Sequence, residues 1–344
     1  YRTSDNIMKT FEHGGQIEKF AFDLGCSVSE IIDLSSNINF IKPQINIDFN
    51  TLDISSYPTY DKLYEKISSN YGVKSSQIEL FNGGSSAIFT LFRHLALETC
   101  TIYSPAYLEY KKAALNFGYE LHTINRFENI NENVKENSLV IFVNPSTPDG
   151  KYYDVEELIQ TWIKKSCTIL IDESFLDFCD KPSSIKYLET YDKLYILKSM
   201  TKFYSSAGIR VGTIVSTKEN IEKLKEFEPM WKLSQFDSNY LQAALDDKLF
   251  KNLSKEINIK NKIELENILR NSSLIEEIFE SSANYVLVKL KNLSAKEFQE
   301  KLKPYKIMVR DCSNFDYLNS SDVRIAVKSS SANEILQRAL KEIC

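Results

Sequence analysis

The sequence predicts an α/β protein: a large domain on a mostly parallel sheet, followed by a smaller α+β domain at the C-terminal end. Three observations predict it. Short β-rich apolar runs alternate with longer segments of helical period through the middle of the chain, which is the βαβ pattern of a parallel sheet. After Ser234 the texture changes to a long charged helical stretch and then a second, shorter succession of strands and helices. Finally, 344 residues with 43% hydrophobic content can bury enough apolar surface for two cores.

In chain order, an apolar strand-like run leads into Asn82-Gly83-Gly84-Ser85-Ser86, and the periodic apolar residues that follow predict a helix over 85–97. The unbroken apolar run LVIFV predicts a strand over 139–143, and VEELIQTWIK a helix over 155–164. TILI (168–171), LYIL (194–197) and VGTIV (211–215) read as further strands, and the charged, leucine-spaced segment 218–227 as a helix. Leucines and isoleucines at helical spacing predict one long helix over 239–270. Beyond it we expect a strand over 285–290, a helix over 295–302, strands over 307–310 and 323–327, and a final helix over 332–343. No internal repeat or low-complexity tract interrupts this order.

Composition narrows the function. A net charge of -5 and a pI near 5.5 give no basic excess for nucleic acid, and no segment approaches transmembrane length. Six scattered cysteines without a C-x-x-C pair predict free thiols in a reducing cytoplasm, and three histidines argue against a metal centre. The N-terminus has no charged-then-apolar leader, and Met8 is the expected natural start.

The segment Ser199 to Gly212, SMTKFYSSAGIRVG, carries the chemistry. Lys202 leaves a hydrophobic strand just after the hydroxyls of Ser199 and Thr201, with Arg210 eight positions on. Such a lysine suits a Schiff base to an aldehyde cofactor bearing a phosphate, which is pyridoxal 5'-phosphate (PLP). Most lysines are solvated, but only eight arginines exist here, and one lies where a guanidinium can hold that phosphate bidentately. The glycines before Ser85 leave backbone amides free at a helix N-terminus, an anion cradle, although Ser85 or Ser86 could equally be an ordinary cap. Asp172 ends the strand of TILIDES and could keep a pyridine nitrogen protonated, or merely cap the next turn. Tyr107, in SPAY, is a candidate to stack on the ring.

These residues resemble the fold type I, aspartate-aminotransferase-like superfamily of PLP enzymes. The resemblance runs over nearly the whole chain through Tyr57-Pro58, NGGSS, Pro105-Ala106-Tyr107, NPSTPDG, IDES, SMTKF with GIRVG, and a late RIAV. It implies Lys202 as the cofactor-bearing lysine, Asp172 on the ring nitrogen and Tyr107 on the ring face. It further implies Gly84, Ser85, Ser199 and Arg210 around the phosphate, Thr201 among the cofactor-binding residues, and Tyr57 reaching the same phosphate from a neighbouring subunit of a homodimer. The implied organisation is an N-terminal arm over 1–42 packing with the smaller domain, a large cofactor-binding domain over 43–238, and a linking helix with the smaller domain over 239–344.

Within the superfamily the chain is similar to the branch that holds histidinol-phosphate aminotransferases and L-threonine O-phosphate decarboxylases. His13-Gly14-Gly15, DLSSNINF at 33–40 and VRDCSNF at 309–315 resemble the decarboxylase side. Two positions depart from the usual pattern. Thr147 stands where an asparagine normally meets the cofactor's phenolic oxygen, and Phe175 where many aminotransferases have a tyrosine. The resemblance implies Arg324, Arg310, His13, Gly15 and Asn37 as substrate-binding residues, suited to a small substrate bearing both a carboxylate and a phosphate. The expected reaction is decarboxylation of O-phospho-L-threonine or O-phospho-L-serine for a cobamide nucleotide loop. The alternative is transamination of histidinol phosphate or a related phosphorylated amine.

Overall fold

The computed structural model describes residues 15–343. In chain order the strands are β1 Ile32–Asp33, β2 Ile78–Phe81, β3 Thr99–Ser104, β4 Glu120–Asn125, β5 Leu139–Val143, β6 Thr168–Asp172, β7 Leu194–Lys198, β8 Gly212–Val215, β9 Ile275–Ile278, β10 Tyr285–Leu290, β11 Ile307–Met308, β12 Arg310–Asp311 and β13 Asp322–Ala326. Seven of them form one sheet in the order β2-β8-β7-β6-β5-β3-β4. All its neighbours are parallel except those of β8, which runs antiparallel to β2 and β7.

The central strands β5, β6 and β7 are buried at every residue, because helices cover both faces of the sheet. Two apolar clusters lie on its opposite faces. One gathers Trp162, Phe142, Ile169 and Ile196, the other Phe92, Ile141, Leu170 and Leu197, following the alternation of side chains along each strand. The carboxyl ends of β3, β5, β6 and β7 therefore open on one edge, where ligands bind in open α/β sheets.

A second, antiparallel sheet has the order β12-β13-β10-β9, and β1 pairs in parallel with β11. Its core packs Val286, Val288, Phe298, Val323, Ile325 and Leu336. Two expectations need correction. The stretch 239–270 is two helices, Gln235–Asp246 and Phe250–Arg270. Asp247 breaks it: its backbone leaves the helical region, and its Oδ1 accepts at 3.1 Å from the amide of Phe250, the first residue of the second helix. The single strand expected over 307–310 is likewise two strands in different sheets. Gln299 Oε1 takes the Val309 amide between them at 2.8 Å, so β11 pairs with β1 while β12 crosses to β13.

Candidate active site

The helix Gly83–Leu95 begins with Gly83, Gly84 and Ser85, so the amides of its first turn have no intrahelical acceptor. Asn82 occupies the cap position, leaving Ser85 and Ser86 inside the helix. The approach is close: a Cβ on Gly212 would lie 2.6 Å from Gly83 C and Gly84 N, and one on Gly83 would meet the Arg210 guanidinium at 2.3 Å. Glycine at these places lets β8 and Arg210 close against the helix end. Gly84, Ser85, Ser199, Thr201, Lys202 and Arg210 line a cavity of about 130 Å3 there. A cluster of amides, hydroxyls and one guanidinium fits a phosphate.

Asp172 closes β6, 4% exposed. Its Oδ1 accepts from Ser174 N at 2.9 Å and Ser174 Oγ at 2.5 Å, and its Oδ2 from Tyr110 OH at 2.7 Å. It thus caps its turn and is also aimed into the cavity. Burial first, and then Asp172, hold the Tyr110 phenol well above its ordinary pKa, so it stays a donor. Tyr107 exchanges a hydrogen bond with Ser85 Oγ at 3.1 Å and lines the same cavity.

The Lys202 amine lies 5.1 Å from the Phe175 ring centroid. Burial pushes its pKa down from the usual value, Asp172 pulls it back, and Arg210 and Arg324 add to the depression. The neutral, nucleophilic amine is thereby favoured.

A connected cavity of about 310 Å3 carries the other residues. Ser35, Asn37, Tyr107, Thr147, Asp172, Phe175, Lys202, Arg310, Phe315 and Arg324 reach it, so Asn37, Arg310 and Arg324 share a space with the lysine. Arg310 and Arg324 sit directly opposite each other in register across β12 and β13. Arg324 is 7% exposed; its Nη2 donates to Ser35 O at 3.0 Å and its Nη1 to Thr147 Oγ1 at 3.4 Å, while Nε has no hydrogen-bond partner. Arg310 Nη2 donates to Asn314 Oδ1 at 2.9 Å.

The strap that carries Asn37 is pinned at each residue. Asn284 Nδ2 donates to Asn37 O at 2.9 Å, Lys328 Nζ to Ile38 O at 2.9 Å, and Asn39 N to Lys202 O at 3.0 Å. Gly15 is exposed and outside the cavity lining, and His13 lies outside the described residues. Tyr57 also stays out of its own chain's cavities around Lys202. It is 70% exposed and stacks on Trp231 at 4.0 Å between centroids.

Sequence reasoning missed Tyr110, Phe315, Lys328 and Asn284. Tyr110 alone left a signal, since it stands three residues after Tyr107 at the start of a helix, where side chains share a face. The donor set fits PLP: a phosphate cradle, a buried carboxylate for a ring nitrogen, an aromatic wall and an amine of depressed pKa converge on one space. Among the described residues no cluster could hold a metal ion, and no helix is long and apolar enough to cross a membrane.

Comparisons with known proteins place the chain in a family. The family model for aminotransferase class I and II matches residues 32–343. A protein of Caldanaerobacter subterraneus subsp. tengcongensis, provisionally named threonine-phosphate decarboxylase, is 31% identical, over 97% of this chain and 94% of its own. An adenosylcobalamin biosynthesis bifunctional protein of Leptospira interrogans is 29% identical over 96% of this chain, which spans 41% of that longer protein. Among solved structures, the histidinol-phosphate aminotransferase of Clostridium acetobutylicum superposes with a TM-score of 0.81 at 29% identity, covering 91% of this chain and 99% of its own. With its fold, lysine-centred cavity and near full-length match in agreement, the chain belongs to the PLP-dependent aminotransferase class I and II family, and PLP is its cofactor.

Proposed function

We propose that the protein decarboxylates O-phospho-L-threonine or O-phospho-L-serine, giving an amino-alcohol phosphate for a cobamide nucleotide loop. The observation that carries the reading is the pair Arg310 and Arg324, facing each other across β12 and β13 and both lining the cavity of Lys202. Like charges directly opposite on a sheet repel, and an anion between or beside them relieves the repulsion. A substrate with a carboxylate and a phosphate supplies such charge. The 31% identity to the Caldanaerobacter protein supports the same choice.

In this reading Lys202 carries the cofactor, Asp172 faces its ring nitrogen, Tyr107 covers the ring and Thr147 serves its phenolic oxygen. Gly84, Ser85, Ser199, Thr201 and Arg210 hold its phosphate. Tyr57, exposed on its own subunit, completes the phosphate site of a second copy, which makes a homodimer the working unit. Bound PLP supplies an electron sink for the bond that breaks at the substrate's α-carbon. Arg310, Arg324 and Asn37, with His13, decide which bond that is by fixing where the substrate's two anions rest. The substrates differ by one methyl group, worth only about 1–3 kcal/mol in a pocket.

The test is release of labelled carbon dioxide from each carboxyl-labelled phosphoamino acid, with identification of the amine left behind. Carbon dioxide from either substrate supports the proposal. Its absence, with glutamate formed from histidinol phosphate and 2-oxoglutarate, replaces it by the aminotransferase reading, which the Clostridium structure favours.

A further inference from the structure

Two loops form facing parts of the cavity wall, and one buried side chain joins them. Arg126 follows β4 at the edge of the large sheet, and its side chain is 1% exposed. Its Nη1 donates to Tyr103 O at 3.2 Å and to Pro105 O, two residues before Tyr107. Its Nη2 donates to Thr147 O at 3.2 Å and to Asp149 Oδ1. Asp149, 2% exposed at its side chain, also accepts from Ser146 Oγ at 2.8 Å. From the same loop, Thr147 Oγ1 meets Arg324, and Ser146 O accepts from Tyr285 OH at 2.9 Å.

A buried ion pair is weak evidence for stability, since desolvation offsets much of the attraction, and here Arg126 Nε also has no hydrogen-bond partner. Its geometry is better evidence. A planar guanidinium fixes the relative positions of the acceptors around its edge, and an ammonium cannot reproduce that fork. The acceptors belong to the end of β3 and the Tyr107 loop on one side, and to the Thr147 loop on the other. Neither Arg126 nor Asp149 lines the cavity, so neither touches what binds there.

We infer that Arg126 and Asp149 are positioning residues that set the separation of Tyr107 from Thr147, and with it the seat of the cofactor and the placement of Arg324. The inference rests on the cavity of Lys202 being that seat. A holoenzyme carrying Arg126→Lys keeps the buried charge pair but loses the fork. We expect native far-ultraviolet circular dichroism, an altered visible circular dichroism band of the bound cofactor, and cofactor loss at least about tenfold faster than in wild type.

If Arg126→Lys does not fold, the neutral pair R126Q/D149N is read by the same measures, since it keeps amide donors without leaving a buried charge unpaired. A lower melting temperature with an unchanged visible band and unchanged cofactor loss overturns the proposal, because ordinary scaffolding would do only that. Failure of both variants to fold overturns it likewise. A visible band that survives in Lys202→Ala overturns the seat and the proposal together. A band lost in Lys202→Ala yet identical in wild type and Arg126→Lys overturns the proposal alone.

Discussion

The two ends of the cavity are built differently. At the cofactor end, Gly84, Ser85, Asp172, Ser199 and Lys202 all lie at or just past the ends of strands of the large sheet or at the helix start beside it. Asp172 has both carboxylate oxygens engaged. At the proposed substrate end, Asn37 comes from an N-terminal strap, and Arg310, Phe315 and Arg324 come from the smaller sheet and the connection between β12 and β13, nearly three hundred residues apart in the chain. There two arginines face each other, and Arg324 Nε is unpartnered. The first end is held by elements of the large domain, whereas the second sets two guanidinium groups from the smaller domain beside one cavity, a setting suited to a doubly anionic substrate. On the proposed reading, carrying the cofactor and choosing the reaction are separable.

The largest test of that separation is Lys202→Ala. Turnover should fall by about 10³-fold or more, with loss of the visible absorbance of the bound cofactor, since the residue belongs to the cofactor end. Arg324→Gln should do the opposite in spectroscopy: the absorbance stays, while KM for the phosphoamino acid rises by roughly 10- to 100-fold, the worth of a lost charge-assisted hydrogen bond pair. Titration of absorbance beside steady-state kinetics checks both. If Arg324→Gln also loses its cofactor, the two ends are one unit and the comparison fails.

Gly212→Ala comes next. Its Cβ has no room against the backbone of Gly83 and Gly84, so β8 or the helix start must shift. We expect about 1–3 kcal/mol of destabilisation by denaturant unfolding and weaker cofactor retention, with KM nearly unchanged. A rise in KM without weaker retention would assign the strain to the wrong end.

Legibility in the sequence follows the same division. Lys202, Arg210, Asp172 and the glycine turn were readable because each sits beside a strand or helix boundary that its own neighbours specify. The central strands were readable for the same reason, as unbroken apolar runs. What stayed hidden depends on partners far away in the chain. Asp247 reads as one more helical residue until its carboxylate is seen accepting from the Phe250 amide. Ile307 to Arg310 reads as one strand until two different sheets claim its halves, and that switch is what sets Arg310 opposite Arg324. The Arg126 fork joins residues about twenty positions apart through backbone carbonyls, which leave no compositional mark.

The smallest expected effect concerns the proton on Lys202. Burial lowers its folded-state pKa below the unfolded value near 10.5, so between those two values the unfolded chain binds more protons than the folded one. Stability of the protein stripped of cofactor should therefore rise with pH across that window, by no more than about 1.4 kcal/mol per pH unit from this one group. Below the folded-state value both states are protonated and the contribution is flat. Lys202→Met should remove the slope and raise stability on the acid side, because it replaces a poorly solvated ammonium by a side chain of similar length. Urea unfolding of the two stripped proteins across that window measures the difference directly. An identical slope in both would mean that the amine is well hydrated when the cofactor is gone, and that the cofactor end is less closed to water than the burial of Lys202 suggests.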